Sequence, residues 1–169
     1  MAESEAPGPK ILQPPSSPLW YHLTMMAVVG LVLGLIVCFG FVLKDHLQAE
    51  VYTDIFRAAR TPLVQYKSEK NAWPADFDLR NPPPEVRAYG ISQALNPLLE
   101  KISGSGSWRF TVKTVDGIQG PAIVFKPNEM DVSMRRILGV VDTRVDDGDP
   151  ALGKFRFNDQ AGGLTLKDE

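Results

Sequence analysis

The longest apolar segment of the chain lies near its N-terminus. Between residues 23 and 43 no side chain is charged, and Thr24 is the only clearly polar one. At a helical rise of about 1.5 Å per residue, these 21 residues would measure roughly 31 Å, close to the hydrocarbon thickness of a bilayer, about 30 Å. A buried helix of a soluble protein is the alternative, but it would seldom run this far without a charge. The pattern predicts a transmembrane helix over residues 19–43.

The flanks of this segment support an anchor that is not removed. Trp20 and Tyr21 precede it, where amphipathic rings suit the membrane interface, and Lys44 ends it. The segment is longer than the apolar region of a signal peptide, about 7–15 residues, and no small-x-small cleavage site follows it. We therefore predict an uncleaved signal anchor and a single-pass protein whose first partner is the lipid bilayer.

Three small residues within the segment share one helical face. Gly30, Gly34 and Cys38 are spaced four residues apart. Small residues at this spacing let a second membrane helix approach closely, although glycine is also common in membrane helices that do not pair. The spacing predicts a face for helix association.

The helical pattern continues beyond the apolar segment. A stripe at four-residue spacing is formed by Leu47, Val51, Ile55 and Ala59. Pro62 is expected to bend or end this helix, and residues 64–67 suggest that it resumes before Trp73-Pro74.

Shorter elements follow. Pro84 suits the start of a short helix that Gly90 and Pro97 make irregular. Alternation predicts strands over residues 108–114 and 154–158, and residues 122–126 read as a more buried strand. Asp131 can cap a further helix, ended by Asp147-Gly148. Its apolar face is Met134, Ile137, Leu138, Val141 and Val145. Gly162-Gly163 predicts a turn into a last strand, residues 164–167.

These elements predict an α+β fold with three segments. Residues 1–18 form a Pro- and Ser-rich disordered tail, residues 19–43 the transmembrane helix, and residues 44–169 a soluble domain. In that domain the long N-terminal helix, half in the membrane and half in the domain, packs on a small antiparallel β-sheet.

Composition excludes several classes of function. With 18 basic and 20 acidic residues mixed along the chain, no basic footprint for nucleic acid is present. Cys38 is the only cysteine, so an internal disulfide is impossible. The two histidines, His22 and His46, both flank the apolar segment. Because both histidines flank the apolar segment and the only cysteine lies within it, we predict neither a zinc site nor a catalytic activity.

The layout resembles type IV pilins and the pseudopilins of type II secretion. Three stretches carry the resemblance: residues 58–67 followed by Trp73-Pro74, Gly106-Ser107-Trp108 before the sheet, and the acidic residues 141–150 before a final strand. The resemblance covers most of residues 23–167. It implies a long helix packed on a sheet, and a noncatalytic accessory component of a pilus or secretion system. The implied partners are pilin-like subunits or other membrane helices.

The chain departs from these families at the start of the membrane segment. Prepilins carry a Gly-Phe-Thr-Leu-Ile-Glu-like site for prepilin peptidase, whereas this chain reads Leu19-Trp20-Tyr21 and has Met25 where the glutamate would stand. We therefore expect neither cleavage nor standard polymerisation. The positive-inside rule weighs Lys10 against Lys44 and the arginines that follow, and it favours a cytoplasmic domain. The resemblance implies an exported one, and we follow it: bacterial inner membrane, domain in the periplasm.

Four carboxylates form the densest acidic group of the chain. Asp142, Asp146, Asp147 and Asp149 lie in a region that resembles the calcium-binding C-terminal loop of some pseudopilins. Calcium takes about six to eight oxygen ligands, so the residue types are suitable, but the spacing is not that of an EF-hand. A solvated helix end with an Asp-Gly turn is the simpler interpretation, and no other cofactor is predicted.

A second functional hypothesis is a membrane-tethered sensor or ligand-binding module. It predicts a concave pocket lined by aromatic residues such as Trp73, Tyr89 and Trp108. If those rings are buried in the core, the hypothesis loses its support.

Overall fold

The computed structural model describes residues 18–166, which comprise four helices and five strands. Helix α1 spans Pro18–Lys70, and the other helices are α2 (Pro84–Arg87), α3 (Ile91–Lys101) and α4 (Val132–Val145). The strands are β1 (Phe77–Asp78), β2 (Gly106–Thr111), β3 (Ala122–Pro127), β4 (Phe155–Phe157) and β5 (Gly162–Thr165). The predicted tail lies outside the described residues except for Pro18, where α1 begins.

The chain divides after Gly40 into two units. In the N-terminal unit the described residues belong to α1 alone, and those from Leu19 onward are exposed. The C-terminal unit, from Phe41 onward, contains the rest of α1 and every other element. The predicted α+β class is confirmed.

The sheet is antiparallel throughout, in the strand order β1-β2-β3-β5-β4. Its inner face carries Trp108 and Phe110 from β2, Phe125 from β3 and Phe155 from β4, all fully buried. The second half of α1 supplies the opposing stripe, namely Ala49, Tyr52, Ile55, Phe56, Ala59 and Leu63. The ring centroids of Phe56 and Trp108 are 5.0 Å apart, so the helical stripe packs directly on the sheet.

Two predictions about α1 and its neighbours need correction. Of the two expectations for Pro62, a bend or an end of the helix, the end is wrong, because α1 continues to Lys70. Buried Leu63 and half-buried Tyr66 belong to the helical core face beyond the proline, and their packing outweighs its local cost. The segment after Pro84 forms two helices, because Gly90 adopts a left-handed conformation (φ +78°) between α2 and α3.

The strand predictions were correct in number from β2 onward but wrong in detail. Strand β2 begins at Gly106 and ends at Thr111, earlier than predicted. Gly162 and Gly163 lie in β5 rather than in a turn. A Cβ on Gly163 would come within 2.7 Å of Ile118, so a glycine is required where this loop side chain crosses the strand. The turn itself lies at Asn158, whose backbone N–H donates to Ala161.

Candidate functional site

The first candidate surface is the apolar half of α1. Its large side chains are widely exposed, for example Leu33 at 57% and Phe39 at 69%. Among the described residues, α1 is the one helix long and apolar enough to cross a membrane, and none of its most apolar window is buried within the chain. This surface is compatible with a membrane anchor.

The predicted association face lies on that surface. A Cβ added to Gly30 or Gly34 would meet nothing within 4 Å, and Cys38 is exposed as a free thiol. The face is therefore open for a second helix to approach.

The three aromatic residues proposed to line a pocket are not brought together. Trp108 is fully buried and packs on Phe125, with ring centroids 4.6 Å apart. Trp73 packs on Phe110, whereas Tyr89 packs on Tyr66. Of the three rings only Trp108 is fully buried in the core, so these residues do not line a common pocket, and the ligand-binding hypothesis stays a prediction.

Tyr89 instead borders an open cleft of about 690 Å³ beside the end of α1. Its hydroxyl donates to the Glu69 carboxylate over 2.8 Å. This hydrogen bond lowers the pKa of Glu69 and raises the pKa of Tyr89. The contact ties α1 to the α2–α3 connection in a solvent-exposed position.

The acidic cluster is the most unusual chemical feature of the domain. Three of the four predicted carboxylates, those of Asp142, Asp146 and Asp147, each place an oxygen within 4.8 Å of the others. The fourth, Asp149, lies outside this group, and its Oδ1 accepts from the Ala151 backbone N–H at 3.0 Å. We refer to the group of three as the carboxylate cluster.

The chain positions this cluster where α4 ends. Asp142 is in the last turn of α4, and Asp146 caps the helix through its N–H, which donates to the Asp142 carbonyl. One Asp146 carboxylate oxygen accepts from the backbone N–H groups of Lys154 and Phe155, the second at 2.8 Å. Gly153 (φ +72°) lies against that carboxylate so closely that a Cβ would collide with it. The loop therefore folds back around the carboxylate cluster.

Asp142 is the carboxylate of the cluster whose charged form is most disfavoured by its surroundings. Its side chain has no exposed surface, and neither carboxylate oxygen has a hydrogen-bond partner of normal geometry among the described residues. Burial, followed by repulsion from Asp147 and Asp146, raises the pKa of Asp142 to about 6, while the Gly148 backbone N–H acts in the opposite direction. A buried carboxylate without a partner is costly unless a proton or a cation neutralises it.

A second polar cluster, which the sequence patterns did not identify, lies where α1 leaves the apolar segment. The Asp45 carboxylate accepts from Arg136 Nη1 at 2.6 Å and from Ser133 Oγ at 2.7 Å. In the sequence, the charge of Lys44 indicates only where the apolar segment ends. The available signal was helical spacing, since Asp45 shares the buried face of Ala49 and is itself 5% exposed.

The chain was also compared with known proteins. No family model, no curated protein and no solved structure matches it.

Proposed function

We propose that this chain is a membrane-anchored protein that acts without catalysis, through contacts between proteins. In this proposal it is a pilin-like or pseudopilin-like accessory component of a type IV pilus or type II secretion system. It is held in the bacterial inner membrane with its domain in the periplasm. The observation that carries the proposal is the contrast within α1, whose first half is exposed and apolar while its second half forms the core of a folded domain.

The apolar side chains in the first half of α1 would be stabilised by removal from water, and no described part of the chain buries them. Burying one large aliphatic side chain is worth roughly 1.5–3 kcal/mol, and most of residues 23–43 carry such side chains. Within residues 18–166 no element packs on this surface, so a lipid environment is the simplest covering that matches its length.

Extraction of membranes with alkaline carbonate tests the anchor. The intact chain should remain in the pellet. Replacing Leu33→Arg together with Ile36→Arg should release it, because each arginine near the middle of a span costs about 2.5–3.5 kcal/mol. Leu152→Arg is the matched control, since Leu152 (58% exposed) is as accessible as Leu33 but belongs to the domain. Wild-type protein in the soluble fraction would overturn the proposal.

Protease accessibility tests the side of the membrane. In spheroplasts, added protease should digest the domain and leave a small fragment containing the apolar segment. Digestion only in inverted vesicles would place the domain in the cytoplasm, as the charge count favours, and would contradict the pilin-like assignment.

Helix association is tested with the single native cysteine. Oxidation in membranes should trap an adduct at Cys38 if a second helix approaches the face of Gly30 and Gly34. Gly34→Leu should weaken this adduct by filling the open position, whereas Val32→Leu, on the opposite side of the helix, should not. An adduct of twice the chain mass indicates a second copy, and another mass indicates a different subunit. If oxidation of the wild-type chain gives no adduct at all, association through this face is contradicted.

We further propose that the carboxylate cluster binds calcium. The supporting observation is Asp142, a fully buried carboxylate that lies beside two further carboxylates and whose own oxygens have no hydrogen-bond partner of normal geometry within residues 18–166. Asp142, Asp146 and Asp147 would hold the ion, which supplies positive charge, and water or carbonyl oxygens would complete its six to eight ligands. The ion would neutralise the buried charge and hold the loop after α4 in place.

Thermal unfolding with calcium, magnesium or a chelator tests this site. Calcium at about 100 times its dissociation constant should stabilise the protein by about 2.7 kcal/mol. Asp147→Asn should reduce the effect, whereas Asp159→Asn should not, because Asp159 pairs with Arg135 outside the cluster. Equal unfolding with calcium and with chelator would reject the site and leave the membrane proposal untouched.

A further inference from the structure

Helix α4 lies beside the second half of α1 and runs in the same direction. Near its start, Ser133 and Arg136 bind Asp45. Near its end, the Arg144 carbonyl accepts from Arg57 Nη2 at 2.8 Å. The two contacts are twelve residues apart on α1 and eight (from Arg136) to eleven (from Ser133) residues apart on α4, so the helices advance in the same direction.

This arrangement fixes the position of the first turn of α4 along the axis of α1, relative to the end of the apolar segment. Asp45 is two residues beyond Leu43, which is about 3 Å along a helix. Phe41, Val42 and Leu43 belong to the same unit as α4 and are exposed. If lipid reaches Leu43, as the proposed function requires, then Ser133 lies at the level where the hydrocarbon ends.

The outward surface at this level includes an apolar side chain. Val132, the first residue of α4, is 74% exposed, and Leu47, one turn after Leu43 on α1, is 57% exposed. Both arginines of this turn pair with a carboxylate, Arg136 with Asp45 and Arg135 with Asp159. The adjoining Asp131 carboxylate accepts from the Met134 N–H as the cap of α4. An exposed valine beside paired arginines suits the interfacial region of a bilayer.

We propose that the first turn of α4 is a membrane-contacting surface that rests on the lipid headgroups with Val132 directed into them. The domain is then held at the bilayer at two places, by the continuous α1 and by this turn. The Asp45 ion pair fixes the distance between them. Because both arginines of the turn are paired with carboxylates, the contact depends on the apolar side chain rather than on anionic lipid. This inference rests on the proposed membrane anchor.

An environment-sensitive label tests the contact. In full-length Cys38→Ser protein, Val132→Cys is labelled with a nitrobenzoxadiazole dye and reconstituted into phosphatidylcholine vesicles, with or without phosphatidylglycerol. Leu152→Cys is the control, because Leu152 follows the opposite end of α4 and is also exposed. Spin-labelled headgroups should quench the dye at residue 132 at least about twofold more than at residue 152, as expected for a group within about 5–10 Å of the interface. Both vesicle compositions should give this result.

The outcomes separate the inference from the function on which it rests. Protein that fails to float with vesicles contradicts the anchor. Protein that floats but shows equal quenching at residues 132 and 152 keeps the anchor and overturns the contact. Quenching at residue 132 only with phosphatidylglycerol overturns the apolar contact, since it would indicate attraction of charge.

Discussion

The carboxylate of Asp45 and the guanidinium of Arg136 form an ion pair with an N–O distance of 2.6 Å between α1 and α4. The two partners differ in burial, because the Asp45 side chain is 6% exposed and the Arg136 side chain is 49% exposed. Ser133 Oγ donates to the second carboxylate oxygen. Both carboxylate oxygens of Asp45 are thus hydrogen-bonded, whereas the Arg136 side chain remains half exposed to solvent.

This asymmetry predicts unequal effects of removing either partner. Arg136→Ala leaves a buried carboxylate with Ser133 alone and should cost roughly 3 kcal/mol or more. Asp45→Ala leaves an arginine that water can solvate and should cost about 1–2 kcal/mol. Denaturant unfolding of the detergent-solubilised chain measures both. Arg135→Ala is the control, because its partner Asp159 is 77% exposed, and its cost should stay below about 1 kcal/mol. Equal costs for Arg135→Ala and Arg136→Ala would contradict the burial of Asp45.

The central ring of the core gives a second prediction. Trp108→Ala should cost about 3–5 kcal/mol, because it opens a large cavity between Phe56 and Phe125. Trp108→Phe should cost less, since the indole N–H has no acceptor among the described residues and its loss offsets part of the cavity. The measurement is again denaturant unfolding, with half-buried Trp73→Ala as the milder comparison. Unchanged stability of Trp108→Ala would contradict the packing of this ring in the core.

The pKa of Asp142 predicts how stability depends on pH without calcium. Because this pKa is about 6 in the folded chain against the ordinary 3.8, the folded state binds the proton more tightly than the unfolded state. Ionisation of Asp142 therefore lowers the free energy of unfolding. This loss of stability is absent below pH 3.8, grows as the pH rises from 3.8 to 6, and is complete above about pH 6. A shift of about two units corresponds to about 3 kcal/mol.

Asp142→Asn removes this ionisation and measures its effect. With chelator present, the variant should be more stable than wild type by up to about 3 kcal/mol near pH 7, and the difference should shrink towards zero near pH 4. Unfolding curves at several pH values provide the test. A difference that does not change with pH would show that Asp142 titrates normally. Added calcium should stabilise wild type and have little effect on the variant.

The absent peptidase site predicts that the chain keeps its full mass. Coexpression with prepilin peptidase should leave the chain uncut, as measured by immunoblot and mass spectrometry. The control is the triple variant Trp20→Gly, Tyr21→Phe and Met25→Glu, which restores the Gly-Phe junction and the glutamate five residues into the cleaved chain. Cleavage of the variant alone supports the prediction, whereas a shortened wild-type product contradicts it.

The sequence predicted those parts of the fold that depend on regular spacing. Of the predicted four-residue stripe, Ile55 and Ala59 lie in the core and Val51 packs against it, whereas Leu47 is 57% exposed, so the stripe was wrong at its first position. Asp131 caps α4 through the Met134 N–H as expected. Strand β1 is only two residues long, too short to show an alternation, and it exists because Phe77 pairs with Phe110. The local pattern predicted a turn at Gly163, whereas the glycine is needed within β5. The reason is that Ile118, which is distant in sequence, leaves no space for a Cβ at this position.

The candidate sites were predictable to different degrees. The three clustered carboxylates were named from composition, but their separation from Asp149 depends on how the loop folds. The burial of Asp142 had a signal that we did not use, because Asp142 follows Leu138 by four residues on the same helical face. The pairing of Asp45 with Arg136 joins residues 91 positions apart, and neither local pattern indicates the other.

The most direct test of the membrane anchor is the accessibility of spin labels placed one at a time along α1 in reconstituted vesicles. In the Cys38→Ser background, labels at Leu31, Leu33 and Ile36 should collide with dissolved oxygen and be protected from a water-soluble nickel complex, whereas a label at Leu152 should show the reverse. Protection should decline beyond Lys44. Ready access of the nickel complex to residues 31–36 would show that this half of α1 lies in water, and would contradict the account.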